Sequence, residues 1–189
     1  MDVEYADGRV TPLAADRWLR PIEGDESLLA RCDGPTLDVG SGPGRLTVAL
    51  ARRGVPVLGI DVTPLAVRLT RQAGGLALCR SVFDPLPRTG EWSEALLADG
   101  NIGIGGDPVA LLRRLRELVR AGGVVIAELG PPGSTSRVER VRLRRNEHVA
   151  GWFAWATVSA DDVGTLARRC GFPAVYHWNE AGRWFAALS

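Results

Sequence analysis

A glycine-rich turn near the start of the chain joins an apolar run to an amphipathic segment, and this turn most constrains the fold. The pattern predicts a strand at residues 36–39 and a helix at residues 44–53, with Gly40, Gly42 and Gly44 alternating along the connection. Glycine permits sharp backbone turns and lets a ligand approach where a Cβ atom would block it. Turns of this kind, between a strand and a helix, bind nucleotide-like cofactors in open α/β sheets.

Strand-like and helix-like segments alternate along the rest of the chain. Apolar runs predict further strands at residues 55–60, 76–82, 95–98, 124–129, 174–178 and 184–188. Amphipathic segments predict helices from Pro64 to about Gly74, at residues 109–120 and at residues 161–169. Such alternation, closed by a hairpin, predicts an α/β fold with a doubly wound, mostly parallel sheet and an antiparallel strand near one edge.

Composition argues against several classes of protein. The 189 residues suit one domain, residues 1–189, and a formal net charge of +1 gives no global field to attract nucleic acid. Cys32, Cys79 and Cys170 lie far apart without metal-ligand spacing, so we expect reduced thiols in a cytoplasmic protein and no metal site. We find neither a secretory signal nor an apolar run that could span a membrane.

Two residues of the turn bear on the choice of cofactor. A dinucleotide-binding G-x-G-x-x-G motif starting at Gly40 would require a third glycine at position 45, which is Arg45. Asp38 lies at the mouth of the turn, where its charge would repel a pyrophosphate and attract an ammonium group. The turn therefore favours a cofactor that carries an ammonium group and lacks phosphate.

S-adenosylmethionine meets both conditions. The run from Asp38 to Gly44 resembles the first motif of the class I S-adenosylmethionine-dependent methyltransferases, acid-x-Gly-x-Gly-x-Gly, and the resemblance extends over residues 35–129. It implies a Rossmann-like fold with a seven-stranded sheet. It also implies that Asp38, Gly40, Gly42 and Gly44 bind S-adenosylmethionine.

Acids that follow the next two predicted strands complete this cofactor site. Asp61 lies about 20 residues beyond the turn, where a carboxylate can accept bonds from both ribose hydroxyls. The resemblance further implies that Val62 and Phe83 lie beside the adenine and that Asp84 accepts a bond from its amino group. The alternatives are that Asp61 serves the dipole of the next helix and that Asp84, before a proline, is an ordinary turn residue.

The carboxyl ends of the fourth and fifth predicted strands are where an acceptor would bind in this architecture. We expect Asp99 to contact the cofactor and take part in catalysis, Asn101 to contact the acceptor, and Glu128 to act as a base or orienting group. Residues 99–107 contain four glycines, which suggests close backbone approach to a ligand. A tight strand-to-helix connection capped by Asp107, and a merely solvated Glu128, are the alternatives.

Residues 1–34 are predicted as an N-terminal helical cap and residues 134–157 as an insertion on the substrate side. In a strand, Arg140, Arg142 and Arg144 would share one face of this insertion and could meet an anionic acceptor. These arginines could equally form a solvated face.

Two further residues of the insertion are candidates for the acceptor site. Trp152 could wall an aromatic or apolar acceptor, and His148 could act as a general base because imidazole titrates near neutrality. Packing of the aromatic side chains on the sheet, or contact within a homodimer, are the other interpretations.

The leading hypothesis is an S-adenosylmethionine-dependent methyltransferase that acts on a small molecule. A non-catalytic S-adenosylmethionine-binding sensor, or a subunit of a larger complex, is the second. A nicotinamide oxidoreductase is disfavoured by Asp38 and Arg45. Methylation of nucleic acid is disfavoured by the balanced charge and by the lack of the Asn/Asp-Pro-Pro-Tyr sequence that is associated with amino-group acceptors.

Overall fold

The computed structural model describes residues 1–189 as two β-sheets, the larger of which is flanked by helices. The strands are β1 (Asp2–Tyr5), β2 (Val10–Pro12), β3 (Thr36–Val39), β4 (Val57–Asp61), β5 (Ala77–Cys79), β6 (Trp92–Leu97), β7 (Val119–Leu129), β8 (Arg137–Arg145), β9 (His148–Val149), β10 (Phe153–Thr157), β11 (Val175–Glu180) and β12 (Arg183–Leu188). The α-helices are α1 (Asp25–Leu29), α2 (Arg45–Arg52), α3 (Pro64–Gln72), α4 (Pro108–Leu118) and α5 (Val163–Arg169). Two 3-10 helices cover Ala15–Leu19 and Asn101–Gly106. None of these helices combines the length and the apolar character that a membrane span requires.

The larger sheet has seven strands in the order β11-β12-β7-β6-β3-β4-β5. Five adjacent strands of this sheet run parallel to one another: β7, β6, β3, β4 and β5. Strand β12 pairs antiparallel with both of its neighbours, β7 and β11. This confirms the predicted mostly parallel sheet with an antiparallel strand near one edge. Because the strands are parallel, the carboxyl ends of β3, β4, β6 and β7 meet at one edge.

Helix α4 packs on the core through the apolar side chains that recur at helical spacing in its sequence. Its residues Leu111, Leu112, Leu115 and Leu118 recur at helical spacing, and all four are fully buried in the main core. Asp107 caps the helix by accepting a bond from the backbone N–H of Ala110 at 2.9 Å. The helix is therefore fixed to the sheet along its length.

The prediction of a helical cap over residues 1–34 is wrong for the first part of that segment. Residues Asp2–Pro12 form the hairpin β1–β2, and only Ala15–Leu19 and α1 are helical. The physical reason is the alternation of Asp2 and Glu4 with apolar neighbours, a period of two that suits a strand.

The smaller sheet joins this hairpin to the predicted insertion at residues 134–157. Its order is β10-β8-β1-β2, with β9 paired to β8, and all of its pairs are antiparallel. Strand β10 lies against the 3-10 helix Asn101–Gly106, where a Cβ atom on Gly103 would collide with the carbonyl oxygen of Ala156. The smaller sheet thus packs beside the carboxyl edge of the larger one.

Asp38 is a buried acid where β3 meets the glycine turn. Its side chain is 2% exposed and accepts a hydrogen bond from the Thr47 hydroxyl at 2.6 Å. Burial raises the pKa of Asp38 to about 6, against the opposing effects of the Thr47 bond and of Arg45. Asp38 therefore ties β3 to α2 beneath the turn, whereas the sequence placed it at the open mouth.

We expect Gly103→Ala to lower the free energy of unfolding by about 1–3 kcal/mol, because the new methyl group must displace backbone of β10. Gly151→Ala is the matched control, since a Cβ atom there meets no atom within 4 Å. Urea denaturation of both variants measures the difference. Equal stability of the two would contradict the close packing of β10 on the 3-10 helix.

We also expect the difference in free energy of unfolding between the wild type and Asp38→Asn to depend on pH. Because the pKa of Asp38 is raised in the folded state from 3.8 to about 6, the folded protein binds this proton more tightly than the unfolded chain. The stability of the wild type should therefore rise relative to Asp38→Asn as the pH falls from about 7 to about 4, by at most about 3 kcal/mol. Urea denaturation of both proteins across this range tests it, and a constant difference would count against a buried ionised carboxyl.

Candidate functional site

The glycine turn after β3 requires glycine for two separate reasons. Gly40, Gly42 and Gly44 all have positive φ angles, of 69°, 54° and 91°. A Cβ atom on Gly40 would lie 2.7 Å from the amide nitrogen of Asn101, and one on Gly44 would lie 2.6 Å from Thr70. At Gly42 a Cβ atom would meet nothing within 4 Å, so the turn is open there to a ligand.

Asp61, the last residue of β4, lies beside this turn. One of its carboxylate oxygens accepts the backbone N–H of Gly42 at 2.9 Å, and the other accepts that of Thr63 at 2.7 Å. A carboxylate has about four acceptor positions, so further hydrogen bonds remain available. The structure thus places Asp61, which is predicted to accept hydrogen bonds from the ribose, beside the glycine turn.

The predicted adenine contacts follow β4 and β5. Val62 and Phe83 are 69% and 45% exposed, so both apolar side chains are accessible to a ligand. Asp84 uses one carboxylate oxygen to accept the backbone N–H of Ser81 at 3.0 Å. The turn role of Asp84 is therefore present, and its contact with adenine stays a prediction.

Asn101 closes the glycine turn from the acceptor side. Its side-chain amide donates to the carbonyl oxygens of Val39 and Gly40, both at 2.9 Å. These two bonds tie the 3-10 helix Asn101–Gly106 to the end of β3. Asn101 thus lies beside the glycine turn with its amide nitrogen engaged by the backbone, and its contact with an acceptor stays a prediction.

Five charged side chains form what we call the strand-edge charge cluster: Asp25, Arg45, Asp99, Glu128 and Arg183. Arg45 contacts Asp25 and Asp99, and Arg183 donates to Asp25 at 2.9 Å. Arg183 also donates to Glu128 at 3.0 and 2.8 Å, and the backbone N–H of Asp99 donates to Glu128 at 2.6 Å. Both predicted catalytic carboxylates are therefore held by guanidinium groups.

Burial and charge act in opposite directions within the strand-edge charge cluster. The side chains of Arg45 and Arg183 are only 5% and 10% exposed. Burial raises the pKa of Asp99, and the charge of Glu128 adds to this, while Arg45 opposes it. Burial also acts to raise the pKa of Asp25, but bonds from Arg45, the Ile22 N–H and Arg183 hold it below its usual value.

With every group ionised, the strand-edge charge cluster has two positive and three negative side chains, a net charge of −1. Asp99 stands out because its φ angle is +53°, a left-handed conformation that is uncommon for residues other than glycine. The sequence does not indicate that Asp25 or Arg183 belongs to the site. It distinguishes Arg45 only as the residue that stands where a dinucleotide-binding motif would have its third glycine. Since 158 positions separate Arg183 from Asp25, no local pattern could pair them.

The structure does not bring His148 to the strand-edge charge cluster. His148 is exposed in β9 and pairs with Arg145 at the far end of β8. The 3-10 helix contacts β10 at Ala154, which pairs with Arg140. Arg140 and Arg145 are five positions apart on β8, or about 16 Å along an extended strand.

The predicted arginine face is largely neutralised. Arg142 and Arg144 both form ion pairs with Glu4 of β1, at 2.6 and 3.2 Å. Arg140 is exposed and its guanidinium has no ion pair or hydrogen bond within the chain. Trp152 is stacked by Arg142, whose guanidinium carbon lies 4.5 Å from the ring centre.

Comparison with known proteins gives a consistent result. The family described as "Methyltransferase domain" matches residues 37–127. Ubiquinone biosynthesis O-methyltransferase of Cereibacter sphaeroides strain KD131 is 33% identical over 95 residues. That alignment covers 48% of this chain and 38% of the relative, so the chain matches well under half of the relative's length.

Solved structures share the fold over a longer stretch. A SAM-dependent methyltransferase from Bacteroides fragilis, in complex with S-adenosyl-L-homocysteine, superposes with a TM-score of 0.83 at 22% identity, covering 100% of this chain and 86% of that one. Burkholderia thailandensis 1,6-didemethyltoxoflavin-N1-methyltransferase, with 1,6-didemethyltoxoflavin and S-adenosylhomocysteine bound, gives a TM-score of 0.61 at 18% identity, covering 86% and 72%. Residues 37–127 therefore match a methyltransferase domain family, and the chain has the fold of these methyltransferase structures.

Proposed function

We propose that this chain transfers a methyl group from S-adenosylmethionine to a small-molecule acceptor. The observation that carries the proposal is the bond between Asp61 and the Gly42 N–H, which places a carboxylate with spare acceptor positions beside an open glycine turn. When bound, the cofactor supplies a methyl group activated by its sulfonium. The curated relatives are O-methyltransferases, and the structural neighbours include an N-methyltransferase with a small molecule bound.

The residues around the turn fit this cofactor. Gly40, Gly42 and Gly44 would let it approach the backbone, and Asp61 would accept bonds from its ribose hydroxyls. The two exposed apolar side chains, Val62 and Phe83, would cover the adenine, and Asp84 would accept a bond from the adenine amino group.

The strand-edge charge cluster would bind the amino-acid end of the cofactor. Its net charge of −1 would attract the ammonium group of this zwitterionic end, and Asp99 is the most exposed of its carboxylates. Asp38 would contribute from below by fixing the turn through Thr47 rather than by contact with the ammonium group.

The acceptor would lie at the same edge, near Asn101 and the smaller sheet. Because Arg45 and Arg183 hold Asp99 and Glu128, we infer that these carboxylates set the local charge and do not remove a proton. That arrangement suits an acceptor atom that needs little help from a base, such as a free amine or a thiolate.

Arg140 of β8 and Trp152, which directly precedes β10, would influence the choice of acceptor. The unpaired guanidinium of Arg140 would favour an anionic group, and Trp152 would favour a planar one.

Calorimetric titration with S-adenosylmethionine, S-adenosylhomocysteine and NAD tests the choice of cofactor. We expect binding of the two adenosyl ligands and none of NAD, because the negative charge of the strand-edge charge cluster, most exposed at Asp99, disfavours a pyrophosphate near the turn. Transfer of a labelled methyl group to a panel of small amines, thiols, phenols and carboxylates then tests catalysis. Binding of NAD alone would refute the proposal, and adenosyl binding without transfer to any acceptor would indicate a sensor.

We expect Asp61→Ala to weaken binding of S-adenosylhomocysteine by roughly 1.5–3 kcal/mol, the range for hydrogen bonds to a charged group. Glu91→Ala is the control, because Glu91 is an exposed acid that pairs only with Arg88. Calorimetry on both variants measures the effect. An unchanged affinity in Asp61→Ala would show that Asp61 does not bind the ribose.

We expect Asp99→Asn to weaken S-adenosylhomocysteine about tenfold while leaving 5′-methylthioadenosine unaffected, because the latter lacks the amino-acid end. Asparagine tolerates the left-handed backbone of this position, so the substitution removes charge without adding strain. Parallel titrations with both ligands provide the measurement. Equal losses for both ligands would contradict an ammonium site at the strand-edge charge cluster.

A further inference from the structure

The turn that follows β5 is unusually well held for an exposed segment. It covers residues 81–84 and presents Phe83 outward while the neighbouring side chain of Val82 is 3% exposed. Within the turn, the Asp84 N–H donates to the Ser81 carbonyl at 3.1 Å, and the Asp84 carboxylate accepts the Ser81 N–H. These bonds close the turn but do not connect it to the rest of the protein.

Arg114 supplies that connection from helix α4. Its Nε donates to the carbonyl oxygen of Val82 at 3.1 Å, and its Nη2 donates to that of Asp84 at 3.0 Å. The two carbonyls lie on either side of Phe83 in the chain, so one planar guanidinium fixes the backbone before and after this residue. Nη1 pairs with Glu117 at 2.8 Å, which orients the third edge of the group.

The helix that carries Arg114 cannot readily shift. Leu111 and Leu115, which are its neighbours along the helix, are fully buried in the main core. The segment that leads into α4 also reaches Phe83, because a Cβ atom on Gly105 would lie 3.3 Å from the Phe83 ring. Phe83 is thus held through its backbone by Arg114 and bordered at its ring by Gly105.

We propose that Arg114 is a positioning residue for the adenine of the cofactor, acting through the backbone on both sides of Phe83. This inference rests on the proposed function, in which Phe83 and Asp84 contact the adenine. A flat apolar contact depends on ring orientation, and two charge-assisted bonds to one rigid group fix that orientation better than a flexible ammonium can. Arg114 itself does not contact the cofactor.

Arg114→Lys and Arg114→Gln test this role, with Arg113→Lys as the matched control. Arg113 is the exposed neighbour on the same helix, and its guanidinium makes no hydrogen bond within the chain. We expect both Arg114 variants to weaken S-adenosylhomocysteine and 5′-methylthioadenosine by the same factor, about tenfold, because both ligands contain adenine. We expect Arg113→Lys to bind both ligands as the wild type does.

Base selectivity separates positioning from a general loosening of the fold. We expect the preference of the wild type for S-adenosylhomocysteine over S-inosylhomocysteine, which lacks the adenine amino group, to fall in Arg114→Lys. Thermal unfolding of each variant shows whether it is folded at the titration temperature. An unchanged preference in a folded Arg114→Lys protein would overturn the inference, as would a loss of affinity for S-adenosylhomocysteine that leaves the affinity for 5′-methylthioadenosine unchanged.

The wild type distinguishes failure of this inference from failure of the proposed function. If it binds neither S-adenosylhomocysteine nor 5′-methylthioadenosine, the proposed cofactor is wrong and the role of Arg114 fails with it. If it binds both and Arg114→Lys binds them equally well, only the role of Arg114 is refuted.

Discussion

The ion pairs of Arg45 and Arg183 hold the functional edge of this protein together. The two guanidiniums connect the first residues of α1, α2 and β12 with Asp99, just after β6, and Glu128, near the end of β7. Loss of one partner would leave a buried charge without compensation, which costs more than the ion pair itself contributes. The glycine turn, the left-handed turn at Asp99 and the closing hairpin therefore keep a common geometry.

Much of the larger sheet and of the cofactor turn could be predicted because their determinants are local. Glycines at alternate positions, a strand-length apolar run and an acid at its end are all visible within a few residues. The position of Asp61 beside the turn could also be predicted, because the carboxyl ends of neighbouring parallel strands meet at one edge. The structure places this residue one hydrogen bond from Gly42.

The remaining features depend on partners distant in sequence or on burial. The role of Asp25 depends on its bond with Arg183, which is distant in sequence. The sequence alone suggests that Asp38 is exposed, whereas the structure buries it in a hydrogen bond with Thr47. The helical prediction for the N-terminal hairpin is wrong for a different reason. Its period of two was present, but four residues are a weak signal without the partner strand β8.

The smaller sheet also has a consequence for the order of folding. Strand β1 pairs with β8, and Glu4 reaches Arg142 across 138 positions. During synthesis, β1 and β2 can pair only with each other until β8 has been made, which requires more than two thirds of this chain. A two-stranded hairpin is only marginally stable by itself. The edge of β1 is a free template for other strands throughout that interval, so aggregation in the cell should depend on how quickly β8 follows it.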